Sequence, residues 1–269
     1  MKPRLAASSY LNTAPLIWSF VRGSRRQDVR LTEAVPSRCA ELLARGEVEA
    51  ALVPVIEYQR LSEIDLIPNT CIASRQRVRS VVLAAKHDEL QRVRSVALDE
   101  SSRTSAVLIK IIFREFIGIE PKWVTQAPSL KEMLEDNDAA LIIGDPAMTF
   151  DREGLTVFDL ASLWKKHTGK GFVFAMWMVR RDASESCRLI DFQAVRDEGL
   201  NRVEEIVDVY HKQLGLPRAE LVTYLSENIT FKMDDDLRSG LALYFDLAEK
   251  HQQISGLKPI NWIAHSAER

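Results

Sequence analysis

A run of hydroxyls around one arginine, Ser101-Ser102-Arg103-Thr104-Ser105, carries the strongest chemical signal in the chain. It follows the apolar stretch Ser95 to Leu98 with Asp99-Glu100. It precedes Ala106-Val107-Leu108-Ile109-Lys110-Ile111-Ile112-Phe113, whose apolar spacing predicts a helix. Strand, polar turn and helix in that order lay out an anion site at a helix N-terminus. Unpaired backbone N–H groups and the positive end of the helix dipole face whatever sits there. Serine and threonine hydroxyls add donors, and a guanidinium can hold a carboxylate or phosphate through two parallel bonds. The competing reading is N-capping, which needs one hydroxyl; here four stand within five residues. Phosphate, sulfate and carboxylate suit such a grip equally.

Other loops end strand-like segments on what would be the same rim: Ser8-Ser9-Tyr10-Leu11-Asn12-Thr13, Val53-Pro54, Ser74 and Gly144-Asp145. In open α/β sheets, ligands bind outside the carboxyl ends of the strands. These loops offer hydroxyls, an amide and an acid, although Asp145 reads equally as the cap of the segment after it. The absence of HExxH, P-loop, GxSxG and GxGxxG patterns counts against zinc hydrolase, NTPase, α/β-hydrolase and dinucleotide chemistry. The histidines (His87, His167, His211, His251, His265) are widely separated and suit surface or packing roles; only His167, in a polar turn, leaves another role open. Cys39, Cys71 and Cys187 lack CxxC spacing and read as small buried side chains. Asp234-Asp235-Asp236 reads as a charged helix start, not a metal cluster.

The elements that must position these groups alternate between strand and helix through the first two-thirds of the 269 residues, which predicts an α/β architecture with mainly parallel sheets. Strands are expected at Arg4 to Ser8, Val29 to Ala34, Ala50 to Val53, Ser95 to Leu98, Lys122 to Thr125 and Ala139 to Ile143. Helices are expected to reach Val21 from Pro15, to open at Pro36-Ser37, and to run from Leu130 to Leu134. From about Ser184 the periodicity turns helical, with helices expected over Cys187 to Leu214, Pro217 to Glu227 and Asp234 to His251. Without a flexible linker, two lobes must be joined by crossing strands, for which Val78–Ala85 and Phe172–Val179 are the candidates. That gives a discontinuous lobe of residues 1–82 and 178–269 and an inserted lobe of residues 83–177, closing on a ligand between them.

A net charge of −2 with 28% charged residues argues against nucleic acid or a membrane surface as partner. With neither a secretory apolar run nor a span of about 20 apolar residues, a cytoplasmic protein is expected.

Several motifs resemble chorismate dehydratase, the first enzyme of the futalosine route to menaquinone. They are Ser9-Tyr10-Leu11-Asn12-Thr13-Ala14-Pro15-Leu16, Gly46 through Pro54, Ile72-Ala73-Ser74 with Val78-Arg79-Ser80-Val81, and Leu98-Asp99 through Ser105. Ile142-Ile143-Gly144-Asp145-Pro146-Ala147 and Asp159-Leu160-Ala161-Ser162-Leu163-Trp164 continue the match, which covers residues 4 to about 180. One departure stands out. The family's Thr-Gly-Leu-Pro-Phe is here Thr168-Gly169-Lys170-Gly171-Phe172, which is expected to loosen a turn at the cleft mouth.

The resemblance implies a periplasmic-binding-protein-like fold of type II and a carbon–oxygen lyase reaction, in which chorismate loses water to give 3-[(1-carboxyvinyl)oxy]benzoate. It implies no cofactor and no metal; oligomeric state stays open. Ser101, Ser102, Arg103, Thr104 and Ser105 would grip one carboxylate, facing Ser9 and Tyr10, while Ser74 and Ser80 hold the other end. Asn12 would lie at the reacting centre. Because an amide does not titrate, either a substrate carboxylate or Asp145 would take the proton. The alternatives are a non-catalytic cytoplasmic binding protein for a small carboxylate, or the related 1,4-dihydroxy-6-naphthoate synthase, whose N-terminal signature does not read Ser-Tyr-Leu-Asn.

Overall fold

Short apolar runs bounded by glycine, proline and polar turns become strands, and amphipathic stretches between them become helices, throughout the computed structural model, which describes residues 1–263. The chain begins with β1 (Arg4–Ala7), α1 (Ala14–Val21), β2 (Arg30–Glu33), α2 (Pro36–Ala44), β3 (Ala50–Pro54), α3 (Glu57–Arg60) and β4 (Ile64–Ser74). It then runs through β5 (Val81–Ala85), β6 (Ser95–Asp99), α4 (Thr104–Ile111), β7 (Lys122–Gln126) and α5 (Leu130–Glu135). Next come β8 (Ala139–Ile143), α6 (Pro146–Thr149), β9 (Thr156–Asp159), α7 (Leu160–Thr168) and β10 (Phe172–Arg180). The tail is helical: α8 (Glu185–Arg188), α9 (Phe192–Leu200), α10 (Val203–Leu214), α11 (Arg218–Thr223) and α12 (Asp235–Lys250).

Two five-stranded sheets result, ordered β2-β1-β3-β10-β4 and β7-β6-β8-β5-β9. Each has four strands running in one direction and one antiparallel strand inserted before the last position. In the first sheet that strand is β10, antiparallel to β3 and β4; in the second it is β5, antiparallel to β8 and β9. β3, β5 and β8 are buried along their whole length, which explains why they read as continuous apolar runs rather than alternating ones.

The expected lobe limits at 82/83 and 177/178 fall inside β5 and β10. Each of these strands is hydrogen-bonded wholly within one sheet, so the crossings are the turns before them, residues 75–80 and 169–171. Both crossings are fastened to the start of α12. Asp234 caps that helix by accepting from the Leu237 N–H at 2.9 Å, and its other oxygen accepts from Arg75. Asp236 Oδ2 accepts from the Gly171 N–H at 2.8 Å, and Lys170 Nζ donates to Ser239 Oγ at 3.0 Å. The Lys170-Gly171 departure therefore does not loosen a turn; it ties a crossing to a helix.

The tail also differs from its periodicity. The helix expected over Cys187 to Leu214 is three helices, because Asp191 starts a new one by accepting from the Ala194 N–H, and the chain breaks again at Asn201-Arg202. After α11 the chain widens into a π-helical turn, Tyr224–Asn228. β9 and α7 had no clear periodic signal. Among the described residues no helix is long and apolar enough to cross a membrane. His265 lies outside the described residues.

Candidate active site

The carboxyl ends of β1 and β3 on one lobe and of β6 and β8 on the other face a shared cleft, with about 520 Å³ of space free of protein atoms, counted out to its open mouth. Leu52, Ile72 and Phe174 on one side and Val81 and Ile143 on the other give it apolar walls. Its polar groups come from two loops, Ser8 to Thr13 and Ser101 to Ser105.

In the second loop every hydroxyl has a different employment. Ser101 Oγ and its N–H both donate to the buried Asp99, at 2.6 and 2.8 Å. Burial pushes the Asp99 carboxyl above its ordinary range, and the two Ser101 bonds partly offset this. Ser102 lines the cleft, and its Oγ is buried without a partner among the described residues. Thr104 Oγ1 accepts from the Ile56 N–H of the other lobe at 3.3 Å. Ser105 lines the cleft from the first turn of α4. Arg103 occupies the N-cap position, yet among the described residues no side chain caps α4. Capping therefore does not account for these hydroxyls.

Arg103 also departs from expectation. It lines the cleft, but Nη1 donates to Glu57 Oε2 at 2.9 Å and Nη2 to Glu41 Oε1 at 3.2 Å, both on the opposite lobe. Its charge is matched by two carboxylates, so it clasps the lobes instead of presenting a free guanidinium. Anion donors in the cleft are neutral ones: hydroxyls and the first N–H groups of α4, which have no partner within the helix.

On the facing wall, Thr13 Oγ1 donates to Asn12 Oδ1 at 3.3 Å and lies 2.7 Å from Ser8 Oγ. With Thr13 donating to Asn12, the proton between the hydroxyls comes from Ser8. The Asn12 oxygen is thereby engaged, and its NH₂ remains a donor. Tyr10 packs its ring flat against Gly144 of the inserted lobe; a Cβ there would lie 2.7–2.9 Å from ring carbons, and φ is +68°. Burial, and then the charge of Asp99, raise the Tyr10 phenol, which stays a donor at neutral pH.

The cleft thus gathers Tyr10, Asn12, Ser101, Ser102, Arg103, Thr104 and Ser105, but not all the residues expected there. Ser9 points away and lines a second, outer pocket with Asp145, while its carbonyl accepts from Tyr210 Oη at 2.7 Å. Asp145 Oδ1 accepts from the Leu11 N–H at 3.0 Å, and the carboxylate lies outside the cleft lining. Ser74 sits at the crossing, where its Oγ accepts from the Gln76 N–H. Ser80 Oγ is buried behind the cleft. Ser8 and Thr13, part of the expected rim loop but without an expected role of their own, line the cleft beside Tyr10 and Asn12. Glu41 and Glu57 gave no sequence signal, since only the fold brings them to Arg103. His167 stacks on Phe116 at 4.7 Å, away from the cleft. The three cysteines are buried, and burial pushes their thiols up to about 12.

The profile of a family described as menaquinone biosynthesis matches residues 3–250. The chain is 31% identical over 259 residues to chorismate dehydratase of Thermus thermophilus, covering 89% of this chain and 93% of that protein. Among solved structures, a protein of Archaeoglobus fulgidus superimposes with a TM-score of 0.77 at 18% identity, covering 94% of this chain and 98% of that one. The periplasmic aliphatic sulphonate binding protein of Escherichia coli superimposes at 0.61 and 15% identity, covering 100% and 96%. The fold is thus periplasmic-binding-protein-like, with two lobes around a cleft.

Proposed function

The chain belongs to the menaquinone biosynthesis family, and from that premise we propose that it is a chorismate dehydratase, a hydro-lyase of the futalosine route acting in the cytoplasm. The reading is carried by the likeness to the Thermus thermophilus dehydratase along nearly the whole chain. The cleft suits it. Chorismate brings two carboxylates and a hydroxyl on a non-aromatic ring, and the cleft offers neutral hydrogen-bond donors on opposed walls with apolar surfaces between them.

In the reaction the C3–H and C4–O bonds break, the hydroxyl leaves as water and the ring becomes aromatic. The driving force comes from the substrate. The protein orients chorismate, handles one proton and excludes competing water. Ser102 and Ser105, with the first amides of α4, receive one carboxylate. The Asn12 NH₂ group faces the ring and the departing hydroxyl. Among the described residues lining the cleft there is no carboxylate or imidazole. A carboxylate of chorismate itself is therefore the acceptor of the C3 proton, in preference to Asp145, and passes that proton to the departing hydroxyl, so that water leaves and the carboxylate is regenerated.

Mixing purified protein with chorismate and following ultraviolet absorbance, with mass spectrometry of the product, tests the proposal. The expected product is lighter than chorismate by the mass of one water, and is aromatic. Chorismate recovered unchanged would overturn it.

A further inference from the structure

Beneath the cleft lie two hydroxyls that nothing satisfies. Tyr224 Oη and Ser80 Oγ are both fully buried, and among the described residues neither makes a hydrogen bond of good geometry. The phenol nevertheless faces the Ser80 and Asn12 side chains closely enough to feel both. Packing does not explain the oxygen. A phenylalanine would fill the same space without leaving a buried donor unpaired, and such groups in native proteins call for another account.

The local backbone supplies a second observation. Tyr224 opens the π-helical turn that follows α11, and such turns concentrate at functional sites. One turn earlier on the same face, Glu220 pairs with Arg79, the neighbour of Ser80. Residues 220 and 224 therefore address residues 79 and 80 of the crossing in parallel. Arg79 is held at φ +63° while an Asp159 carboxylate accepts from the N–H groups of Val78 and Arg79. A strained, tightly held segment thus presents Ser80 to the tyrosine.

We propose that Tyr224 is a positioning residue for the reaction, its hydroxyl fixing the Asn12 carboxamide from behind with Ser80 as the third member of the group. The Asn12 oxygen already accepts from Thr13. A second donor at that oxygen fixes the amide plane and leaves the NH₂ group aimed into the cleft. Burial keeps the phenol protonated, hence a donor, throughout the neutral range. This inference rests on the dehydratase reading and adds a residue to it.

The test is Tyr224→Phe, assayed for chorismate turnover and for thermal stability. The expected result is a fall in kcat of about tenfold with KM changed by less than about twofold, and a Tm equal to or above that of the wild type. Adding Ser80→Ala should lower kcat little further, because the two hydroxyls act as one group. Unimpaired kcat in Tyr224→Phe, a loss that comes with a lower Tm, or losses that multiply in the double variant would each overturn the inference. A wild type inert toward chorismate removes the proposed function and this inference with it. An active wild type with an equally active Tyr224→Phe removes the inference alone.

Discussion

The backbone N–H of Leu11 donates to Asp145 Oδ1 at 3.0 Å, so a carboxylate of the inserted lobe closes on the first loop of the other lobe. Burial pushes that carboxyl up to about 6 from its ordinary 3.8, against the opposing pull of the Leu11 N–H. As pH falls, the folded protein takes up this proton before the unfolded chain does. The stabilisation from protonation is therefore complete below pH 3.8 and disappears as pH rises through about 6. Asp145→Asn keeps an oxygen for Leu11 and removes the buried charge. It should flatten this part of the stability profile and raise Tm at neutral pH by about 2–4 °C. Because the carboxylate lies outside the cleft lining, kcat should stay within about threefold of the wild type. Melting curves across the pH range and steady-state kinetics check both; a loss of about a hundredfold in kcat would make Asp145 the base.

Ser102 presents the converse case, a hydroxyl at the cleft with no partner among the described residues. Ser102→Ala removes a buried, unsatisfied group, so stability should hold or rise slightly. If the hydroxyl meets a substrate carboxylate, the same change should raise KM for chorismate about tenfold, the size of one hydrogen bond to a charged group. Calorimetric titration with chorismate, alongside a melting curve, separates the two effects. Unchanged affinity would remove Ser102 from the substrate contacts.

Arg103 should behave as a clasp. Glu57, whose side chain is 3% exposed, bonds both Arg103 and Arg60. Arg103→Met leaves it with one partner and should cost about 2 kcal/mol in urea unfolding, below the penalty for a carboxylate stripped of every partner. Combining it with Glu57→Gln should recover part of that loss, since the uncompensated charge is gone. A variant as stable as the wild type, with KM raised more than about a hundredfold, would return Arg103 to the role of a carboxylate grip.

How far the sequence reaches is visible in these residues. Most strands and helices through β8, though not α3 or β4, are legible because they rest on local periodicity and turn chemistry, and the hydroxyl loop is legible because a strand, a polar turn and a helix adjoin in sequence. What escaped is non-local. Nothing near Arg103 announces Glu57 or Glu41, and nothing near Ser9 tells that Ser8, one residue earlier, takes the inward position. Periodicity fixes a face but not its neighbours across a cleft. Asp145 was ambiguous for the same reason: its partner is a backbone N–H more than a hundred residues away. The motif resemblance identified the family, yet its effect on the crossing was misread, because the partners of Lys170-Gly171 lie on α12.

That crossing gives the last prediction. Gly171 is enclosed: its N–H donates to Asp236, its carbonyl accepts from Trp164 Nε1 at 3.1 Å, and a Cβ would lie 2.8 Å from Leu237 Cδ2. Gly240 of α12 backs onto it so closely that a Cβ there would collide with the Gly171 carbonyl oxygen. The two obstacles differ in kind. At Gly171 the nearest atom is a leucine methyl that can turn aside, and the Ser74 carbonyl oxygen at 3.2 Å need give only slightly. At Gly240 the obstacle is a backbone carbonyl already bonded to a tryptophan, which cannot move. Gly171→Ala should therefore cost about 1 kcal/mol and Gly240→Ala about 3 kcal/mol, as overpacking of a yielding and an unyielding site. Gly171→Pro, which restores the family residue, removes the N–H and leaves Asp236 without that donor, so it should destabilise more than Gly171→Ala. Urea midpoints at unchanged slope rank the three. A Gly171→Pro protein more stable than the wild type would mean that the Asp236 bond does not hold the crossing.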